Sequence, residues 1–243
     1  MDKRLQEIID NFDKMKIGID DTFRFHCTQC GKCCINREDI LLNPKDLFNL
    51  AKGLNISVTD VIKQYCEVYL GQDSRIPIVR LLPKGQIKRC PFLKDKKCSV
   101  HKFKPTVCAT FPLGRVMTYS TEASMPQGIT PGEVQYIFTD PGCGDNSETH
   151  TVREWLSDFD IALEDEFFMK WNEFISSLGN FIRLAEKKFL EKRLNRILDT
   201  VFASVYCLYN PNEEFLPQFE RNVKMLEIAL KKHGYKKEKQ NEG

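Results

Sequence analysis

Four thiols fall within eight residues at Cys27-Thr28-Gln29-Cys30-Gly31-Lys32-Cys33-Cys34, and their type and spacing suit one kind of chemistry above others, the capture of a soft metal ion. On a helix, a step of about 100° per residue would bring Cys27, Cys30 and Cys34 onto one stripe. A tight turn would serve equally. In that case Gly31 would let backbone amides aim at thiolate sulfurs, as knuckle-type sites require.

Further thiols follow at Cys90, Cys98, Cys108 and Cys143. His101 lies three places after Cys98, and Pro91, Pro105 and Pro112 stiffen the intervening turns. Cys143 stands in the turn Pro141-Gly142-Cys143-Gly144. Ligands this far apart would tie distant segments together, so a metal held by Cys27, Cys30, Cys33, Cys34, Cys90, Cys98, Cys108 and Cys143 would be structural at minimum. Eight thiols admit two four-thiolate sites or one multinuclear site with bridging sulfurs. Zinc, iron and an iron–sulfur cluster all suit such ligands. The quartet begins like a ferredoxin run, yet its fourth cysteine is adjacent and is followed by Ile35 rather than proline, which disfavours ordinary ferredoxin function.

Other residues weigh differently. Cys66 and Cys207, near helix ends among apolar neighbours, read as core residues. His101 could ligate through a neutral nitrogen or simply occupy a turn; His26 is a weaker candidate, and His150 and His233 read as a helix-start and a surface residue. Asp140 could offer an oxygen, although turns attract Asp in any case.

Ten cysteines in 243 residues, without an N-terminal apolar run of the export type, point to a reducing, cytoplasmic setting in which thiols stay free for metals. No stretch of about 18 apolar residues occurs, so no membrane-spanning helix is expected. A formal charge of +2 gives no argument for nucleic acid as a partner. The metal ion is the expected partner, with a protein partner left open.

The elements that must carry these thiols follow from periodicity. Leu5, Ile8, Ile9, Phe12 and Met15 predict an amphipathic helix over residues 3 to 16. Asn43 and Pro44 predict a helix start running to about Gly53, and Ser57 with Asp60 a second one ending near Tyr69. Ile76 to Leu82, Arg115 to Ser120 and Val134 to Phe138 read as strands, with Thr121 to Gly132 as a loop. From Thr151, the spacing of Trp155, Leu156, Phe159, Leu163, Phe167 and Trp171 predicts continuous helix to Leu178 and Gly179, followed by helices over roughly 180–207 and 213–233. The expected fold is α+β and mostly helical: a small Cys-rich metal-binding core with a short β-sheet or hairpins, and a C-terminal helical subdomain. The expected division is an N-terminal helix (1–22), a cysteine-cluster domain (23–150), a helical region (151–235) and a disordered tail (236–243).

These features resemble the YkgJ-like cysteine-cluster family of bacteria and archaea over about residues 23 to 160. Phe25 to Cys34 resembles its C-x-x-C-x-x-C-C signature and Cys90-Pro91-Phe92-Leu93 its C-P-F-L element. Cys98-Ser99-Val100-His101 and Lys104-Pro105 to Pro112 resemble its C-x-[IV]-[YH] and R-P-x-x-C-R-x-F-P segments, and Thr151 to Leu156 its T-V-x-E-W-L helix start. Lys104 and Ala109 replace two of its arginines, and Asp140-Pro141-Gly142-Cys143 departs from its Cys-Pro-Gly turn, which leaves open a displaced or oxygen eighth ligand. The resemblance implies zinc or iron chelation. Two other readings stand beside it. The family is similar to flagellin lysine N-methylases, which suggests a cluster-dependent protein-modifying enzyme, but no Gly-rich phosphate loop, H-E-x-x-H helix or paired nucleophile and base is present. The aromatic stripe Phe167, Phe168, Trp171, Phe174 and Phe181 would suit an interaction module, although such stripes more often form core.

Overall fold

The computed structural model describes residues 3–119 and 131–236. In chain order the elements are α1 (Lys3–Met15), β1 (Lys16–Ile17), β2 (Thr22–His26), a 3-10 turn (Lys32–Cys34), β3 (Leu41–Leu42), α2 (Pro44–Leu54), α3 (Val58–Tyr65), β4 (Cys66–Leu70) and β5 (Pro77–Leu81). Then come β6 (Leu93–Lys94), β7 (Lys97–Cys98), a 3-10 turn (His101–Phe103), α4 (Thr106–Thr110), β8 (Leu113–Tyr119), β9 (Pro131–Phe138) and β10 (Asp145–Thr151). Helices α5 (Val152–Ser157), α6 (Glu166–Lys188), α7 (Glu191–Phe202), a π-turn (Ala203–Cys207) and α8 (Phe215–Lys231) complete the described chain. None of the described helices is long and apolar enough to cross a membrane.

The fold is α+β, and the described residues form four small antiparallel sheets ordered β1-β9-β8, β10-β2, β3-β5-β4 and β6-β7. The cap signals act as their chemistry dictates. Asn43 and Asp46 form a reciprocal capping box with Pro44 in the first turn of α2, the Ser57 hydroxyl accepts from the Asp60 amide at α3, and Thr151 and Glu154 form a second box at α5. Three expectations are corrected. Helix α3 stops at Tyr65 rather than Tyr69, because Cys66–Leu70 pairs with Pro77–Leu81 as an edge strand and its β-branched and aromatic residues suit the ladder. The helix from Thr151 ends at Ser157, then resumes at Glu166, where the Asp165 carboxylate caps the Phe168 amide. That second helix runs past Gly179 to Lys188: the Ser74 carbonyl lies 2.7 Å from where a Cβ on Gly179 would be, so the glycine serves close packing and does not end the helix. The expected loop at Thr121 to Gly132 falls outside the described residues except for Pro131 and Gly132, which open β9, and Ser120 lies outside too. Of the expected tail, all but Lys236 lies outside them.

Two apolar cores organise these elements. The larger joins α2, α3, β5, Phe92 and Val100 to α6, α7 and α8 through residues such as Leu47, Leu50, Val61, Val79, Phe174, Ile182, Phe219 and Leu226. Phe167, Phe174 and Phe181 of the aromatic stripe are buried there and Trp171 packs half-buried against the same core, while Phe168 is half-buried beneath the Arg115 guanidinium. The smaller core gathers Phe23 and Phe25 from β2, Leu113, Tyr136, and Val152, Trp155 and Leu156 of α5. Trp155 donates its indole N–H to the Thr110 carbonyl at 3.1 Å, which fixes α4 against α5.

Asp46 and Arg115 tie elements together through polar contacts. The buried Asp46 carboxylate accepts from the Thr106 amide and hydroxyl, each at 2.7 Å, and from the Asn43 amide at 3.1 Å, joining α2 to the start of α4. Arg115 on β8 meets Asp165 at 3.1 Å with both side chains buried, and its guanidinium lies over the Phe168 ring. Asp46→Ala would orphan three donors and should lower stability by about 1–3 kcal/mol, whereas Asp46→Asn keeps an acceptor and should cost less. Urea denaturation of the two variants measures this. Equal losses would mean that the hydrogen bonds do not carry the tie.

Candidate metal centre

The cysteines arrive from both cores. Phe25, packed against Phe111 and Trp155, anchors the end of β2, and Cys27 follows two residues later. Cys90 and Cys98 are half-buried, on either side of buried Phe92 and beside buried Val100. Cys108 lies in α4 next to buried Ala109 and Thr110. The thiol region therefore lies where the two cores abut.

Between Cys27 and Cys34 the chain turns and does not form an α-helix. Gln29 and Gly31 have φ of +52° and +74°, and only Lys32–Cys34 is helical, as a single 3-10 turn. A Cβ on Gly31 would stand 3.0 Å from the Lys96 carbonyl, so glycine lets this turn press against the β6–β7 hairpin that carries Cys98. The Cys90 amide donates to the Cys34 carbonyl at 2.8 Å, and the Asn36 amide to Ile87 at 3.0 Å, which lash the quartet to the segment before Cys90. Pairing of Asp145 with His26 brings Cys143 and Gly144 beside Cys27. A Cβ on Gly144 would stand 2.4 Å from the His26 carbonyl.

Six of the eight expected ligands, Cys27, Cys33, Cys34, Cys90, Cys98 and Cys108, line one cavity of about 70 Å³ with His101, Lys104 and Arg37. Cys33 and Cys34 sulfurs are 3.9 Å apart. Cys30 and Cys143 lie outside its lining but contact each other through their thiols. The quartet, Cys90, Cys98, Cys108 and Cys143 thus form one electrostatic neighbourhood, whereas Cys66 and Cys207 stand apart, each packed on the larger core with its thiol raised by burial alone. Among the described residues no group of three or more His, Cys, Asp or Glu side chains is drawn into the closed arrangement that holds a metal ion.

Backbone amides already aim at three of the sulfurs. The Lys32 amide points at Cys30 and, with the Gly144 amide and the Thr28 hydroxyl, holds that thiol below its ordinary range. Cys90 is likewise lowered, first by the Cys34 thiol and then by the Phe92 amide. Burial raises Cys98, against the pull of the Val100 amide. In each case the donor is the amide two residues beyond the cysteine. Three further thiols are raised: Cys33 by its contact with Cys34, Cys108 by burial, and Cys143, pushed up to about 11 by burial and the charges of Cys33 and Cys30. Burial also lowers His101, helped by the charge of Lys104, which keeps its ring neutral and able to ligate.

Three cationic residues that spacing does not mark as part of this site, Arg37, Lys96 and Lys104, line the cavity. Lys104 is lowered by burial and lies with its ammonium 4.0 Å from the Phe159 ring centroid, facing the thiols. Arg37 bonds Asp39 at 2.6 Å and lines the same cavity. In the sequence Lys104 stands out only as a departure from arginine, and nothing in the local pattern distinguishes Arg37 from a surface residue. Asp140 spends its carboxylate on the Gly142 amide at 3.0 Å, a turn-forming contact. His26 instead faces Asp145 and Glu148, at 3.3 and 3.7 Å. His150 belongs to β10, half-buried against Trp155 with its ring 3.0 Å from the Phe25 carbonyl, and His233 lines a separate cleft between α7 and α8.

Residues 26–127 match the sequence profile of the CxxCxxCC family, described as a "putative zinc- or iron-chelating domain". The resemblance read from the thiol and proline spacing is shown over that range; the Thr151 to Leu156 element lies beyond it. Over 90 residues, 36% of the chain, the sequence is 31% identical to an uncharacterized protein of Methanocaldococcus jannaschii, and the match spans 44% of that protein's length. No solved structure matches the chain.

Replacing Cys30 by Ser removes a sulfur favoured by two amides and a hydroxyl and should weaken metal retention on the order of 10-fold or more, whereas Cys207→Ser should leave it unchanged. Competition against a chromophoric chelator reads both. Equal losses would mean that the ligands are misassigned.

Proposed function

We propose that this chain is a metal-binding protein in which Cys27, Cys30, Cys33, Cys34, Cys90, Cys98, Cys108 and Cys143 hold zinc or iron, the latter as ions or as an iron–sulfur cluster. The observation that carries the reading is the convergence of six of these thiols on one cavity from segments far apart in sequence. The match to a zinc- or iron-chelating family over residues 26–127 supports it independently.

The donor set fits such a group. It is almost wholly thiolate, the ligand type that selects zinc and iron–sulfur clusters over magnesium or calcium. Three amides directed at sulfur from two residues downstream supply the hydrogen bonding that tunes a thiolate centre. Bound metal would supply positive charge where several thiols now crowd one another, and would convert a cost of folding into a cross-link between the two cores. Lys104 and Arg37 place cationic charge on the cavity wall and would offset the excess charge of a many-thiolate site.

The residues around the centre have separable duties. Phe25, Phe92 and Val100 fix where the thiols emerge, Gly31 lets the quartet approach the β6–β7 hairpin, and Asp46 holds the start of the helix bearing Cys108. In this reading residues 23–150 are the metal-binding unit and residues 151–235 the helical buttress behind it. The site is assigned chelation, with no reaction attached.

Purification without oxygen, followed by elemental analysis and an absorption spectrum, tests the proposal: an iron–sulfur cluster is coloured and zinc is not. Removal of a structural metal by chelator should cost on the order of 10 kcal/mol, comparable to the whole stability of a domain, and the melting transition should collapse. Metal-free protein with the same melting curve before and after chelation would sink it.

A further inference from the structure

Away from the thiols, a second concavity of about 510 Å³ opens between α7 and the end of α8. Its size falls within the range of small-ligand pockets, about 300–1,000 Å³. Its floor is apolar, made by Ile197 and Leu230, both almost fully buried, with Ala229, and the exposed Leu190 stands at its rim. Its walls carry Lys192, Arg193, Arg196 and Lys232, together with His233 and Thr200, and no acid.

This concentration is not the chain's average character. Residues 187–196 and 231–236 hold eight Lys and Arg against one acid, Glu191, while the whole chain has a formal charge of only +2. The rest of the molecule is therefore net negative, and the positive field is local to this end. Glu191 does not line the cleft. Among the described residues, no carboxylate pairs with Lys192, Arg193, Arg196 or Lys232. Arg193 instead lies over the Phe189 ring at 4.1 Å and places a guanidinium nitrogen 2.9 Å from His233 Nδ1. Burial lowers His233, and the charges of Arg193 and Lys232 lower it further, as a ring inside an uncompensated positive field should be.

Solvated surface cations commonly spread apart or pair with carboxylates. Here four exposed cations from α7 and the end of α8 line one cleft over an apolar floor, with no acid among its lining residues. Two guanidinium groups favour oxyanions that accept paired hydrogen bonds, and four cations favour a multiply charged ligand. A concavity of this size, with an apolar floor, is of the kind that encloses a small molecule.

We propose that the cleft between α7 and α8 binds a small molecule carrying two or more phosphate groups, held by Lys192, Arg193, Arg196 and Lys232, with an apolar moiety over Ile197 and Leu230. This site is independent of the metal centre. Two sources share the chemistry, a free oligophosphate and a nucleoside phosphate, and the apolar floor distinguishes them.

Calorimetric titration of the metal-loaded full chain with inorganic tripolyphosphate and with adenosine triphosphate, at low salt, tests the assignment. Both probes should bind saturably, the nucleotide more tightly if the floor contributes. The paired change Arg193→Glu with Arg196→Glu should weaken binding about tenfold or more, while Lys14→Glu with Lys16→Glu, the same change in net charge elsewhere, should leave it unaltered. The milder pair Lys192→Ala and Lys232→Ala should weaken it several-fold, and decides the matter if the first variant does not fold. Absence of saturable binding, equal weakening by the remote pair, equal affinity for citrate, or a preference for duplex DNA or phosphatidylserine vesicles would each overturn the assignment.

Discussion

Crowding of sulfur is the constraint on which this structure turns. Thiols that must ionise to ligate repel one another when gathered in a partly buried space, and the shifts record it: Cys143 rises under burial and the charges of Cys33 and Cys30, and Cys34 is pushed up to about 12 by contacts that include Cys90 and Cys98. Gathering Cys33, Cys34, Cys108 and Cys143 there favours their neutral thiols unless a cation enters. The metal-binding proposal rests on the convergence of six thiols on one cavity, and this imbalance adds to it.

The scaffold is arranged to hold the thiols together from two sides. The smaller core positions Cys27 through Phe25, and the larger positions Cys90 and Cys98 through Phe92 and Val100. Short hydrogen bonds, from the Cys90 amide to Cys34 and from Thr106 to Asp46, fix the loops between them. The long helices α6 and α8 contribute bulk behind this arrangement, packing Phe167, Phe174 and Phe219 edge to face. Strength comes from the helices, and position comes from the loops.

Much of this was legible from residue types. Asn43, Ser57 and Thr151 mark helix starts because their side chains satisfy amides that the helix leaves free, a local rule that tertiary packing did not override. The knuckle turn at Gly31 was legible as one of two geometries, and contact with Lys96 on a hairpin more than sixty residues away selected it. Strand β4 was read as helix because its partner β5 lies beyond the reach of helical periodicity. The break after Ser157 was hidden because Phe159, Ile161 and Leu163 keep packing on the smaller core although the helix has ended. The place of Arg37 depends on which distant side chains meet it, and for the cleft at α7 the two basic runs show in the sequence while their meeting across one concavity does not.

X-ray absorption at the zinc and iron edges of protein purified without oxygen tests the central claim most directly. Sulfur scatterers at about 2.3 Å should dominate the first shell, as thiolate ligation requires. A first shell of only nitrogen and oxygen at about 2.0–2.2 Å, or no metal at either edge, would contradict the account.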